Sequence, residues 1–402
     1  MSTPLQPFKP EPYTIAIPEA ALADLKQRLA HTRLPREPDD ANWLYGSNRA
    51  YMARFIEHWR EQFDWRIWEA KLNGFLNYRV ALLRPDDQTQ QVVHFLIEPG
   101  SGQESGQRAP RPLLLTHGWP GSVFEFIHLI ERLAHPERFG GRVEDAFTVV
   151  CPSLPGYGVS MPLHKPISAR KVASLWRDLM VKALGFERFF VQAGDWGSIV
   201  SSWLGADHPQ HVAAMHLNMV PLRPPITQPL TDEEKAWAAL AKKRHAAEGG
   251  YFAIQSTKPT TLGYGLSDSP AGLAGWIVEK FHGFPGGPAS KEPPFSMDDM
   301  LATISLYWFT DTAATATWMY WATVRAGDLA MKPDEFISPP TAFLLPPWDL
   351  VPPSPPGWLE RGYNVAQFHV MPRGGHFVAM EQPDAFIEDV QEFFRGKTAE
   401  HD

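Results

Sequence analysis

Apolar positions along this chain follow two rhythms, and the changes between them mark its elements. Near the N-terminus Tyr13-Thr14-Ile15-Ala16-Ile17 alternates as a short strand would, and Pro18 then opens a helix with Leu22, Leu25 and Leu29 on one face. A second helical region, Ala50 to Leu72, is dense in aromatic side chains (Tyr51, Phe55, Trp59, Phe63, Trp65, Trp68). Leu76 to Leu82 and Val92 to Ile97 read as strands, joined by the polar turn Pro85-Asp86-Asp87. Beyond a Gly/Ser/Gln-rich connection from Gly100 to Arg111, expected to be flexible, short apolar runs predict buried strands. They lie at Pro112 to Thr116, Phe147 to Cys151, Phe189-Phe190-Val191 and Val212 to Val220, with a helix at Val172 to Leu184. From Pro221 to about Pro333 the pattern changes: Leu230 to Ala247, Ala271 to Phe281 and Met297 to Val324 read as helices, with no convincing strand between them. Strand character returns at Thr341 to Leu345 and Tyr363 to Met371, before a last helix at Pro383 to Phe394.

This order predicts an α/β protein with a mostly parallel central sheet and a helical cap inserted between its strands. The expected organisation is an N-terminal meander over residues 1–100, which packs on the core and includes its first strands. A first part of the core follows at 101–220, then the cap at 221–333 and the second part of the core at 334–402. Composition narrows the function. A net charge of −8 with no long basic run argues against nucleic acid as a partner. The single Cys151 excludes an internal disulfide framework and suits a reducing compartment. Met1 to Pro12 is polar and proline-rich, and no window reaches the ~18 apolar residues of a membrane span, so a cytoplasmic protein without a membrane anchor is expected. The 15 tryptophans point to large apolar surfaces, in the core or around a ligand. No metal or organic cofactor is indicated, and a homodimer stays an open option.

The chemistry gathers around Val191-Gln192-Ala193-Gly194-Asp195-Trp196-Gly197-Ser198. An apolar strand stops at small residues, an acid follows, and a helix begins. That is the pattern of the α/β-hydrolase nucleophile elbow, with Ala193 and Gly197 as its small residues and Asp195 at the nucleophile position. A carboxylate is ionised at neutral pH and attacks carbon without help from a base. The plain alternative is an Asp capping the next helix. His117-Gly118-Trp119-Pro120-Gly121-Ser122, directly after a strand, is either a Gly-Pro turn or half of an oxyanion hole. In the second case its donors are the backbone N–H groups of Trp119 and Trp196. In the elbow's chain order an acid and then a histidine follow. His376, in Arg373-Gly374-Gly375-His376-Phe377, is preferred over His369 and His282. The acid is Asp349, with Glu360 as the fallback. His216 and Asn218 read as packed strand residues. Such a site attacks an electrophilic sp³ carbon, in an epoxide or an alkyl halide. An epoxide oxygen also needs acidic hydroxyls; Tyr251 and Tyr320 are available in the cap, with Tyr264 and Tyr307 as rivals or all four as core residues.

Along nearly its whole length the chain resembles the microsomal-type epoxide hydrolases. The resemblance is carried by Tyr13 to Pro18, Phe63-Asp64-Trp65-Arg66, HGWPGS at 117–122, GDWGS at 194–198, the stretch Gly250 to Phe281, and PRGGHFVAMEQP at 372–383. It implies Asp195 as nucleophile, His376 as base, Asp349 as charge-relay acid where such members often carry Glu, and Tyr251 and Tyr320 as the epoxide-polarising pair. It further implies a small apolar epoxide and water as reactants, and the branch without an N-terminal anchor. Haloalkane dehalogenases share the Asp-Trp pair, but Trp119 stands where they commonly place a halide-holding Asn. A non-catalytic ligand-binding member is the reading from another class, and a serine esterase is least favoured because Ser198 lies past the elbow.

Overall fold

The computed structural model describes residues 5–39, 42–103, 109, 111–285 and 291–399. Among the described residues nine strands form one sheet: β1 (Glu11–Pro12), β2 (Leu76–Leu83), β3 (Gln90–Glu98), β4 (Pro112–Thr116), β5 (Thr148–Pro152), β6 (Phe189–Ala193), β7 (Val212–Leu217), β8 (Ile337–Leu345) and β9 (Tyr363–Val370). Their spatial order is β1-β2-β3-β5-β4-β6-β7-β8-β9. The pairs from β5 through β9 are parallel, while β1, β2 and β3 join antiparallel at one edge. β4 to β7 are buried at every position, as a sheet covered on both faces requires. Successive side chains point to opposite faces. Leu114, Val150 and Val191 therefore enter one apolar core, with Val172, Trp176, Val200 and Trp203 from the helices Ala169–Arg177 and Asp195–Asp207. Leu113, Leu115, Val149 and Phe190 enter a second core with Phe386 and Val390 from the helix Pro383–Phe394.

Between β7 and β8 the described chain is helical: Asp232–Glu248, Gly250–Gln255, Pro259–Asp268, Pro270–Gly283, Met297–Phe309 and Trp318–Ala326. Gly250–Gln255 and Pro259–Asp268 were not expected, because their glycines and threonines hide any apolar stripe.

Two expectations near the N-terminus need correction. Tyr13 to Ile17 is not a strand. The Ile15 N–H donates to Asn73 Oδ1 (3.0 Å) and the Ile17 N–H to Glu69 Oε1 (2.6 Å), whereas the short strand Glu11–Pro12 pairs with β2 and that contact ends at the Tyr13 N–H on the Asn77 carbonyl (2.9 Å). Side chains of the helix Trp65–Asn73 thus take the place of a ladder partner. The aromatic region is two helices, Arg49–Glu61 and Trp65–Asn73, because the Asp64 carboxylate accepts the Arg66 N–H and starts a new helix. In the connection after β3, Gly100 to Gln103 is held rather than loose, with the Ser101 N–H on the Ala134 carbonyl (2.9 Å); 104–108 and 110 lie outside the described residues.

Candidate active site

The parallel strands end on one edge, and the loops that leave it bring the expected residues together. Asp195 follows β6 at the start of its helix with φ +45°, a left-handed backbone that side chains rarely adopt. Close packing on either side holds it there. A Cβ at Gly197 would lie 2.2 Å from the Thr116 carbonyl oxygen, and one at Gly118 would lie 2.2 Å from Asp195 Oδ1. Both glycines are therefore needed for the helix and the loop after β4 to approach. The Trp119 N–H donates to Asp195 Oδ1 (2.7 Å). The carboxylate's other oxygen, Oδ2, lies 3.4 Å from His376 Nε2.

His376 arrives on the loop after β9. Its Nδ1 lies 2.9 Å from Asp349 Oδ1, and Asp349 is buried on the loop after β8. Burial works against the imidazolium, but the two carboxylates outweigh it and hold the His376 pKa well above the usual histidine value. The loop itself is tied down by Glu381, whose carboxylate accepts the N–H of Gly375 (2.9 Å) and of Phe377 (3.0 Å). Burial pushes Glu381 up to about 7. A Cβ at Gly375 would lie 2.3 Å from Pro285 Cα, so the approach of this loop to the helical block also requires glycine. Sequence reasoning missed Glu381; the available signal was an acid five residues past a Gly-rich histidine turn. It also missed Arg244, whose guanidinium donates to the Asp349 carbonyl oxygen and so fixes the loop that carries the acid.

Opposite Asp195 stand Tyr251 and Tyr320, one from each of two helices. The Tyr251 ring stacks on Trp119 (centroids 5.1 Å apart, planes at 9°), and Tyr320 meets Trp196 edge-on at 4.6 Å. The Tyr320 hydroxyl is buried without a hydrogen-bond partner. Burial above all raises both phenols well above 10, with Asp195 next for Tyr251 and the Tyr251 phenol then Asp195 for Tyr320, so they stay protonated. The competing candidates lie elsewhere. Tyr264 is 79% exposed, and the Tyr307 hydroxyl donates to the Gly121 carbonyl (2.7 Å). Glu360 is exposed, His369 pairs with Asp389 (2.6 Å), and His282 stacks on Trp43. His216 is buried against Asp389, Asn218 accepts from Gln192, and Ser198 Oγ donates to the Ala193 carbonyl. A cavity of about 400 Å³ opens onto Asp195, Tyr251, Tyr320, Asp349 and His376, walled by Trp237, Val351, Trp358, Met219 and Leu222. Among the described residues no acid, histidine and cysteine cluster could hold a metal, and no helix is long and apolar enough to cross a membrane.

The strained acid at a strand-to-helix turn, followed in chain order by an acid and a histidine, defines the α/β-hydrolase class. The alpha/beta hydrolase fold model matches residues 111–246, and the model of the epoxide hydrolase N terminus matches residues 10–126. A Stigmatella aurantiaca protein assigned to the epoxide hydrolases is 41% identical over 96% of this chain and 84% of its own length. Epoxide hydrolase 1 of Oryctolagus cuniculus is 32% identical over 95% of this chain and 88% of its own. The solved Aspergillus niger epoxide hydrolase superposes with a TM-score of 0.81 at 30% identity, covering 97% of each chain. The chain belongs to the epoxide hydrolase family, and it is an enzyme of that class.

Proposed function

We propose that this enzyme opens a small apolar epoxide to a vicinal diol through a covalent ester on Asp195. Oδ2 of Asp195 attacks an epoxide carbon, the ring C–O bond breaks, and the departing oxygen takes a proton from Tyr251 or Tyr320. Both phenols remain protonated in the closed site, which suits them to donate at that moment. Oδ1 becomes the ester carbonyl, already facing the Trp119 N–H. His376 then takes a proton from water, and the hydroxide attacks Asp195 Cγ. The oxyanion that forms on Oδ1 meets the Trp119 N–H and, in this reading, the Trp196 N–H; one such donor is worth about 10²–10³ in rate. The tetrahedral species collapses, the leaving diol oxygen takes the proton back from His376, and Asp195, which keeps one oxygen from water, returns the remaining proton to the tyrosine. Asp349 orients His376 and stabilises its charged form.

The observation that carries this reading is the Asp195 carboxylate itself. It sits on a strained turn, one oxygen on a backbone donor and the other beside a base, and it faces two phenols across an apolar cavity. The helices between β7 and β8 are the cap in this reading, with residues 1–100, 101–220 and 334–402 as the meander and the two parts of the core. The buried, unpaired Cys151 supports a reducing, cytoplasmic setting.

Single-turnover hydrolysis in ¹⁸O-water tests the proposal. The label is expected in Asp195 and absent from the first diol, and His376→Gln should let an enzyme adduct accumulate in intact-mass spectra. Label found directly in the first diol would eliminate the ester.

A further inference from the structure

One half-buried acid beside this site has no part in the chemistry above. Glu125 lies on the short helical turn Val123–Phe126, directly after the HGWPGS stretch. Its Oε1 stands 1.3 Å from where a Cβ of Gly121 would be. The carboxyl therefore occupies the space in which a side chain at 121 would begin, and glycine there admits it. In that position it is within electrostatic reach of both Asp195 and His376, and the Gly118 backbone N–H favours its charged form. Two tyrosines share the same wall. The Tyr307 hydroxyl donates to the Gly121 carbonyl, and the Tyr157 ring lies 6.1 Å from the Tyr307 ring and 5.3 Å from His117. The Tyr157 hydroxyl is buried with no hydrogen-bond partner.

We propose that Glu125 is a positioning residue for the second half-reaction: with the Tyr157 hydroxyl, its carboxyl holds the water that His376 deprotonates. The proposal rests on the ester reading above. A buried polar group without a partner costs about 1–3 kcal/mol, and a buried water needs two to four polar partners. The Glu125 carboxyl, Tyr157 Oη and His376 Nε2 supply three of them. The water gives one proton to His376 Nε2, donates its other O–H to the Glu125 carboxyl, and directs its oxygen at Asp195 Cγ. Burial, opposed by His376 and reinforced by the negative Asp195, pushes Glu125 up to about 8 in the free enzyme. The carboxyl keeps an accepting oxygen in either protonation state, so it can hold the water throughout hydrolysis.

Rapid-mixing single turnovers on Glu125→Leu and Glu125→Gln separate this role from space-filling. Alkylation is followed by tryptophan fluorescence, since Trp119 and Trp196 flank Asp195, and the adduct by quenched mass spectrometry. The alkylation rate and burst amplitude are expected within about 2-fold of the unmodified enzyme, which also verifies that the site has folded. Ester hydrolysis should fall on the order of 10- to 100-fold in the Leu variant. In the Gln variant, whose amide oxygen still accepts, it should fall at least about 3-fold but less than in Leu. If the Leu variant fails to fold, the Gln variant decides alone. Unchanged hydrolysis in Glu125→Gln, equal rates in both variants, or a parallel loss of both phases would overturn the proposal. Absence of any fast covalent phase in the unmodified enzyme would instead remove the ester reading and this role with it.

Discussion

At the scale of single residues, the site is a set of charges that change each other's ionisation. His376 lies between Asp349 and Asp195, whose carboxylates together hold it protonated above the usual histidine range despite its burial. In the proposed mechanism His376 acts as a base and must be neutral, whereas in the resting enzyme the two carboxylates favour its charged form. The proposed ester would correct this: Asp195 would lose its charge, one of the two carboxylates that favour the imidazolium would be gone, and the His376 pKa would fall. Hydrolysis by that route is expected to rise with pH through the lowered value. The acid limb of the ester-hydrolysis rate is expected at lower pH than the titration of His376 in the free enzyme. Comparing NMR titration of the ring with pH-dependent single turnovers checks this, and coincident values would count against the coupling. The same sign applies to stability. A raised folded pKa contributes stabilisation that is complete below the unfolded histidine value and is lost as pH rises through the folded one. That Asp195, His376 and Asp349 would meet was legible from two motifs and from the place of Asp349 after a strand; the roles given to them belong to the proposal. The places of Glu125 and Glu381 were not legible, because each reaches a backbone that the fold brings near.

At the scale of one element, the helix Asp232–Glu248 forms part of the cavity wall through Trp237, Ala238, Ala241 and His245, yet its own sequence has no apolar stripe to anchor it. Its start is fixed instead. The Thr231 hydroxyl accepts the Glu234 N–H (3.1 Å), and the Glu234 carboxylate accepts the Thr231 N–H (2.8 Å), a reciprocal cap. The same carboxylate takes a bidentate clasp from Arg361 (2.7 and 2.8 Å), just before β9. Arg361, against the opposing effect of burial, holds Glu234 below the usual carboxylate range. Glu234→Ala is expected to cost about 1–3 kcal/mol by denaturant unfolding, the sum of a lost cap and a half-buried guanidinium that keeps only the Gln228 and Pro229 carbonyls as partners. The contribution is present above the unfolded carboxylate pKa and lost as pH falls through the lower folded one. If the variant and the unmodified protein keep the same stability difference down to pH 3, the clasp is not what holds the helix. The neighbouring Gly250–Gln255 was missed in the sequence for a related reason: Tyr251 and Gln255 are its only buried residues, and two residues make no period.

At the scale of the molecule, the N-terminal hundred residues do two jobs. β2 and β3 extend the sheet through the antiparallel pairing of β3 with β5, and the helix Arg49–Glu61 packs against the helical block. The contact is both apolar and polar. Phe55 and Trp59 are buried in the same core as Ile304 and Phe281, and the Trp59 indole N–H donates to Ser305 Oγ (2.9 Å). Trp43 stacks on His282 with centroids 3.9 Å apart. The exposed ion pair Arg54–Glu292 adds little by comparison, since surface pairs are worth about 0–1 kcal/mol. Trp59→Ala should therefore destabilise by about 3–5 kcal/mol, measured by the denaturant midpoint, and raise KM more than it lowers kcat because Tyr251 and Tyr320 ride on the block it supports. A midpoint within error of the unmodified protein would place the supporting contact elsewhere.

What the sequence determined by itself was whatever depends on neighbours in the chain. The buried strands follow from runs such as Pro112 to Thr116, the turn at Asp195 from small residues on either side, and the last helix from its Pro383 start and apolar period. Only the tertiary structure decided which residues meet across the fold. Tyr251 and Tyr320 were separated from Tyr264 and Tyr307 by where their helices lie, not by local pattern. Tyr13 to Ile17 is no strand because the Ile15 and Ile17 N–H groups bond side chains more than fifty residues away in sequence. Glu125 reached its place beside the HGWPGS loop because Gly121 left room for it. Local sequence sets the conformations open to each segment, whereas burial and charge act through distances that exist only once the chain has closed on itself.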